Sequence, residues 1–189
     1  IHPYINGLNA SNFGTGYGIE LEADPTNDGD QTQVGSILNS NCSLCRTGIW
    51  GPQNTSDIQV QGGTYSGSSV SPSFGADFET NPGNTATGSI RIIGTAFRNS
   101  ATAGVKLFDC AGCQVVGLKG EQVGAAPAVG TAILLDGSVG GYCNSDVIVG
   151  GGFANYATPN INITSNCKNP LTLVGPSFSV SDAAANPID

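Results

Sequence analysis

The sequence predicts an all-β fold, a right-handed single-stranded parallel β-helix, or solenoid, of about six coils. Two observations lead to this prediction. Short segments in which apolar and polar residues alternate return at nearly constant spacing along the 189 residues, and a second set of apolar segments lies between them. Repeats of this length are typical of solenoids, in which each repeat buries its apolar face against its neighbours. No segment has the apolar stripe and caps of a helix.

The first set of segments begins at glycine, alanine or asparagine residues that lie 30, 27, 29, 28 and 28 positions apart. Alternation with a period of two indicates a strand with one buried face. Connections between parallel strands are overwhelmingly right-handed, which gives the predicted hand of the helix. We expect one buried stack made of one residue from each segment: Ile19, Ile49, Ala76, Val105, Ile133 and Ile161.

Each segment of the second set ends in glycine and follows a member of the first set. Its members are Val34-Gly35, Ile58–Gly62, Ile90–Gly94, Val115–Gly117, Val147–Gly151 and Leu171–Gly175. An aromatic residue often follows the glycine, at Tyr65, Phe97, Phe153 and Phe178. We therefore predict two strands in each coil, joined by turns rich in glycine, asparagine and serine.

The domain organisation follows from where the repeats begin and end. We predict an N-terminal cap or connector over 1–15, the β-helix over 16–180 and a C-terminal linker or tail over 181–189. The chain begins with Ile1 and contains no methionine. We therefore expect a processed product or a piece of a longer chain whose flanking domains cover at least one end of the solenoid.

Charge and hydropathy narrow the range of partners. The net charge is −8, which would repel the phosphate backbone of a nucleic acid, so we predict no nucleic-acid partner. No apolar run approaches the 18 residues of a membrane-spanning helix, so we predict no membrane insertion.

The six cysteines allow three interpretations. Two pairs have the CxxC spacing, Cys42–Cys45 and Cys110–Cys113, but 64 residues separate these pairs. Cys110, Cys143 and Cys167 recur at about the same place in successive repeats. Buried free cysteine packs as a small hydrophobic residue, so we predict a reduced stack without metal. Disulfides and a zinc site remain the alternatives. Neither a metal nor a cofactor is predicted.

Outward positions of the first set supply the candidate site. They form two columns, the first being Glu20, Trp50, Asp77, Lys106, Leu134 and Asn162, and the second Glu22, Pro52, Glu79, Phe108, Asp136 and Thr164. Neighbouring coils lie about 4.8 Å apart, and alternate residues of one strand lie roughly 6.6 Å apart. Asp77 and Glu79 would therefore have about the separation of an inverting glycosidase pair.

These columns predict a saccharide groove. Asp77 and Glu79 are the predicted catalytic acid and base, and Trp50 offers a flat face for a sugar ring. The other predicted substrate-binding residues are Glu20, Glu22, Lys106 and Asp136. The only histidine, His2, lies outside the repeats, which argues against a Ser-His-Asp or Cys-His site. Binding without chemistry, and a solvated face whose acids limit aggregation, remain alternatives.

Two segments of the repeats, Ser89–Phe97 and Gly104–Gly117, resemble the right-handed parallel β-helices of the pectin-lyase-like superfamily. The glycine, serine and asparagine content and the acidic balance most resemble the central domain of bacteriophage tailspikes. This resemblance covers residues 16–180 and is one of architecture. It implies a homotrimer on a virion tail, or a secreted extracellular protein, that binds a bacterial surface polysaccharide. It also implies possible cleavage by hydrolysis or lyase chemistry with Asp and Glu.

Two further functions are compatible with the same sequence. One is a secreted monomeric polysaccharide lyase or hydrolase of the same superfamily. The other is a structural spacer or adhesin segment without catalytic activity. No motif assigns individual catalytic residues, so the choice of Asp77 and Glu79 rests on the two outward columns alone.

Overall fold

A computed structural model describes residues 3–13, 15–21, 32–52, 55–67, 72–79, 89–121, 130–137, 146–154, 160–167, 171–175 and 180–182. All regular elements in these ranges are strands. In chain order they are β1 Tyr4–Asn6, β2 Asn9–Ser11, β3 Tyr17–Glu20, β4 Thr32–Leu38, β5 Asn41–Cys45, β6 Thr47–Gly51, β7 Thr55–Gln61, β8 Thr64–Gly67, β9 Phe74–Glu79, β10 Arg91–Ile93, β11 Ala96–Arg98, β12 Ala103–Phe108, β13 Gln114–Glu121, β14 Thr131–Asp136, β15 Asp146–Ala154, β16 Ile161–Ile163, β17 Leu171–Val174 and β18 Val180–Asp182. The described strands pair in parallel, which confirms the predicted all-β parallel solenoid.

The six segments of the first predicted set form, together with β18, one seven-stranded sheet, which we call sheet 1. Its strands follow the order β3, β6, β9, β12, β14, β16 and β18. The predicted stack is confirmed, because its members are partners in the register of this sheet: Ile19, Ile49, Ala76, Val105, Ile133 and Ile161. Ile19 is 5% exposed and the other five are fully buried. Each coil therefore buries its apolar face on the next.

The remaining strands form two ladders rather than the single predicted one. The second ladder runs through β1, β4, β7, β10, β13, β15 and β17, with Ile37, Val60 and Ile92 in its buried column. The third ladder begins with β2, β5, β8 and β11 and continues along the second halves of β13 and β15. The predicted two strands per coil are thus corrected to three.

A left-handed backbone conformation turns the chain between the second and third ladders. Gly62 and Gly94 have φ of 65° and 58°, and their amides donate to carbonyl oxygens of the next coil. Asn39, with φ of 47°, occupies this corner in the coil before, because asparagine tolerates the left-handed region. Gly35, the last residue of the first segment in the predicted second set, does not lie at this corner, because it pairs with Ile58 inside the ladder.

The glycines that lead the segments of sheet 1 face the interior. A Cβ on Gly48 would lie 2.8 Å from Cβ of Tyr65, and one on Gly75 would overlap the ring of Phe97. Tyr65 and Phe97 are fully buried and stack with ring centroids 5.7 Å apart. Glycine at these positions lets sheet 1 approach the aromatic column of the third ladder.

The prediction of reduced cysteines is wrong. Cys42 and Cys45 form one disulfide, Cys110 and Cys113 form another, and Cys167 is also disulfide-bonded. Cys143 lies outside the described residues. In each CxxC segment a residue with positive φ, Leu44 or Gly112, turns the chain between the cysteines. The Cα atoms then lie 6.2 and 6.1 Å apart, within the range of a disulfide.

Strand pairing extends over both predicted domain boundaries. β1 pairs with β4 and β2 pairs with β5, so the ladders include residues upstream of 16. β18 pairs with β16 and continues to Asp182. Within the described ranges, no helix has the length and apolar character needed to cross a membrane.

Candidate functional site

The outer face of sheet 1 carries the predicted site residues. The register aligns its first outward column as predicted: Glu20, Trp50, Asp77, Lys106, Leu134 and Asn162. In the second column Glu79, Phe108 and Asp136 are partners in adjacent strands. The predicted neighbours are therefore brought together, whereas Glu22 lies outside the described residues. We call this surface the outer face.

An aromatic pair lies at the upstream end of the outer face. The rings of Tyr17 and Trp50 stack with centroids 4.5 Å apart and planes inclined by 12°. Tyr17 is 38% exposed, and Trp50 is half-buried. Tyr17 therefore covers one ring face of Trp50, which the sequence had suggested was free. Each ring of this pair thus covers one face of the other, and we call the pair the aromatic platform.

Lys106 is the centre of an ionic cluster next to this platform. Its Nζ lies 2.7 Å from Oε1 of Glu79 and 3.4 Å from Oδ1 of Asp77. The same ammonium lies 5.6 Å from the ring centroid of Phe74 and 5.4 Å from that of Phe108. Burial lowers the pKa of Lys106. Asp77 and Glu79 together raise it by a larger amount, so the pKa of Lys106 lies above its ordinary value. Lys106 is a fixed cation held by two carboxylates and two rings.

Asp77 is an outward residue that is nevertheless buried. It is 7% exposed, and its Oδ1 makes no hydrogen bond although it lies in ionic contact with Lys106. Burial raises the pKa of Asp77 to about 6, with Glu79 and Asp136 adding to the rise and Lys106 opposing it. A carboxyl group of this kind exchanges its proton near neutral pH, as a general acid must.

The contacting oxygens of Asp77 and Glu79 lie close together. Both bind the same ammonium, so these two oxygens cannot lie farther apart than the two contact lengths together. This upper limit for one pair of oxygens is shorter than the roughly 6.5–9.5 Å between the carboxyl groups of inverting glycosidases and is compatible with the about 5–5.5 Å of retaining ones. The inverting separation stays a prediction for the carboxyl groups as wholes, while the oxygens bound to Lys106 also allow the retaining geometry.

The remaining carboxylates occupy the borders of the outer face. Oδ1 of Asp136 accepts hydrogen bonds from the Gly137 amide at 2.9 Å and from the Thr164 hydroxyl at 2.7 Å. Asp136 therefore stabilises a turn at the downstream border. Glu20 is exposed and lies beside Trp50 in the register. Glu20 and Glu79 are accessible to a solute, whereas Asp77 is largely covered.

Tyr17 and Phe74 are the residues of the outer face that the sequence did not indicate. If the residues alternated strictly, Tyr17 would face the same side as the buried Ile19, and Phe74 the same side as the buried Ala76. Gly18 and Gly75 break the alternation because both face the interior at a corner of the coil. An aromatic residue directly before such a glycine is the signal that could have found them.

A second buried acid lies away from the outer face, at the start of β15. Asp146 is 4% exposed, and its Oδ1 accepts a hydrogen bond from the Cys113 amide at 2.9 Å. Burial raises the pKa of Asp146 to about 7, and the Cys113 amide opposes the rise. Among the described residues, no group of three or more His, Cys, Asp or Glu side chains could hold a metal ion.

Comparisons with protein-family profiles, with curated proteins and with solved structures found no match for this chain. The fold and the outer face therefore define its class: a parallel β-helix with an aromatic platform beside a buried carboxyl group.

Proposed function

We propose that this chain is a tailspike-like receptor-binding β-helix that recognises a bacterial surface polysaccharide. The observation that supports this most directly is the Tyr17–Trp50 platform next to Asp77 and Glu79 on one face. Aromatic rings bind the apolar faces of sugars, and carboxylates accept hydrogen bonds from sugar hydroxyls. Coils spaced by about 4.8 Å present such groups at a repeat comparable with one sugar unit of an extended glycan.

The assembly and location belong to the same proposal. A homotrimer on a virion tail, exposed outside the cell and attached to flanking domains, would display three copies of the outer face to a repetitive polysaccharide. Three linked copies would raise the overall affinity without any new contact. A mass measurement in solution separates the trimer from a secreted monomeric enzyme.

Cleavage of the bound glycan is a second candidate function, favoured by the raised pKa of Asp77. In this mechanism protonated Asp77 donates its proton to the glycosidic oxygen, and a carboxylate oxygen of Glu79 attacks the anomeric carbon. The leaving sugar departs with that proton. Water, deprotonated by Asp77, then hydrolyses the glycosyl ester and regenerates both carboxyl groups with retained configuration.

Binding is tested with a panel of capsule and lipopolysaccharide glycans. Tyr17→Ala and Trp50→Ala are each expected to weaken binding of the selected glycan about threefold to tenfold, because each removes one ring of the platform. Tyr4→Ala is the matched control, since Tyr4 is 70% exposed on the second ladder. Unchanged binding by both platform variants would contradict the proposal and favour a structural spacer.

Cleavage is tested by release of reducing ends from a glycan that the wild type binds. Asp77→Asn and Glu79→Gln keep side-chain shape and are expected to reduce turnover by roughly 10²-fold or more. Asp57→Asn removes an exposed charge away from the outer face and is expected to retain turnover. Wild-type rates in both test variants contradict the mechanism. Binding without any wild-type cleavage assigns the outer face to recognition alone.

A further inference from the structure

The charge of the outer face is strongly unbalanced. Its two outward columns carry four described acidic side chains and one ammonium: Glu20, Asp77, Glu79 and Asp136 against Lys106. The ammonium of Lys106 already contacts Asp77 and Glu79. An incoming anion would therefore meet carboxylates without finding an uncommitted cation in these columns.

Asp77 adds an observation independent of the number of acids. It is 7% exposed, and its buried Oδ1 accepts no hydrogen bond, although the Lys106 ammonium lies 3.4 Å away. One ionic contact without a hydrogen bond compensates a buried carboxylate incompletely, so further positive charge nearby would favour its ionised form. The register places Asp77 directly beside Trp50, with Glu20 on the other side of the same indole. Carboxylates therefore flank the aromatic platform in both directions along the solenoid.

From these contacts we infer that the outer face selects a glycan with free, protonated amino groups and discriminates against uronic acids. The inference rests on the proposed saccharide-binding function and names the substrate class. A sugar ring stacked on the Tyr17–Trp50 platform would place its ammonium near Glu20 on one side or Glu79 on the other. Ammonium-to-carboxylate hydrogen bonds are charge-assisted, whereas a uronate would experience like-charge repulsion.

Titration calorimetry with three oligosaccharides of equal length tests the inference. The probes are glucosamine oligomers with free amines, N-acetylglucosamine oligomers and oligogalacturonate, at mildly acidic pH where the amine is protonated. The free amine is expected to bind about threefold to tenfold more tightly than its N-acetylated counterpart, as expected for exposed ion pairs. Added salt is expected to reduce this preference, and oligogalacturonate is expected to bind most weakly.

Matched variants identify the groups that produce the preference. Glu20→Gln and Glu79→Gln each remove one reachable carboxylate and are expected to reduce the preference for the free amine. Asp57→Asn removes an equal charge from an exposed position within β7, in the second ladder, and is expected to leave the preference for the free amine unchanged. Lys106→Met removes the competing cation and is expected to increase the preference for the free amine. Because Glu20 is exposed, its variant tests the idea even if another variant fails to fold.

The outcomes separate the inference from the function on which it rests. Equal or tighter binding of the N-acetylated oligomer, abolished by Trp50→Ala, overturns the amine preference while saccharide binding stands. An equal loss of preference in Asp57→Asn and Glu20→Gln also overturns it, because net charge alone would then explain the effect. If no probe binds and no bacterial glycan binds either, the proposed function itself fails.

Discussion

Replacing Asp77 by asparagine is expected to remove a large part of the pH dependence of stability. The ordinary pKa of this carboxyl group is 3.8, and burial raises its pKa to about 6 in the folded chain. The native state therefore favours the protonated form. This contribution to stability is complete below pH 3.8 and is lost as the pH rises through about 6.

The magnitude follows from the two pKa values. The rise of the pKa from 3.8 to about 6 corresponds to about 3 kcal/mol in the free energy of unfolding. The Asp77 side chain is only 9% exposed, so screening by solvent reduces the effect little. The asparagine variant cannot ionise at this position. Relative to the wild type, the variant is therefore expected to gain about 3 kcal/mol as the pH rises from below 3.8 to well above 6.

Urea denaturation across this pH range measures the effect. The quantity compared is the difference in free energy of unfolding between variant and wild type at each pH. Asp146, whose pKa is about 7, titrates in both proteins and cancels from this difference. Gly152→Ala adds no titratable group and meets no atom, so it serves as the control and is expected to give a nearly constant difference. A constant difference for Asp77→Asn as well would refute the view that burial controls its protonation.

Two further predictions concern the solenoid itself. Gly75→Ala is expected to destabilise the fold by about 1–3 kcal/mol, because the new Cβ overlaps the ring of Phe97, whereas Gly152→Ala meets no atom and is expected to be neutral. Thermal unfolding compares the two, and equal melting temperatures would contradict the close approach. Ile133→Ala is expected to cost about 2–5 kcal/mol. Leu134→Ala, on the outward side of the same strand, is expected to cost about 1 kcal/mol or less in urea denaturation. Equal losses would contradict the assigned faces.

The columns of sheet 1 could be predicted because two local rules determine them. Alternation fixes which side each residue faces, and the repeat spacing fixes which residues become neighbours across coils. Trp50, Asp77 and Lys106 could therefore be placed side by side from the sequence. Their roles as saccharide ligands or catalysts stay predictions.

The third ladder could not be recognised because its strands are short and mostly polar. Two of its strands, Asn41–Cys45 and Thr64–Gly67, pair with each other and contain few inward apolar residues. Their sequences therefore show no clear alternating pattern. The burial of Asp77 was equally inaccessible, since it depends on the packing of Lys106 and the neighbouring rings. The disulfides depend on left-handed residues inside the CxxC segments, which the spacing alone does not reveal.

The alternation of inward and outward columns has an evolutionary consequence. Ile49 and Trp50 are adjacent in the chain, yet one maintains the core while the other meets the surroundings. If the proposed glycan binding holds, heritable changes at rim positions such as Glu20 would alter recognition while the core remains intact. Asp77 and Lys106 contact each other inside the face, so a change at one leaves the other without its partner. The proposed specificity would therefore diversify quickly at the rim of this surface and slowly at its centre.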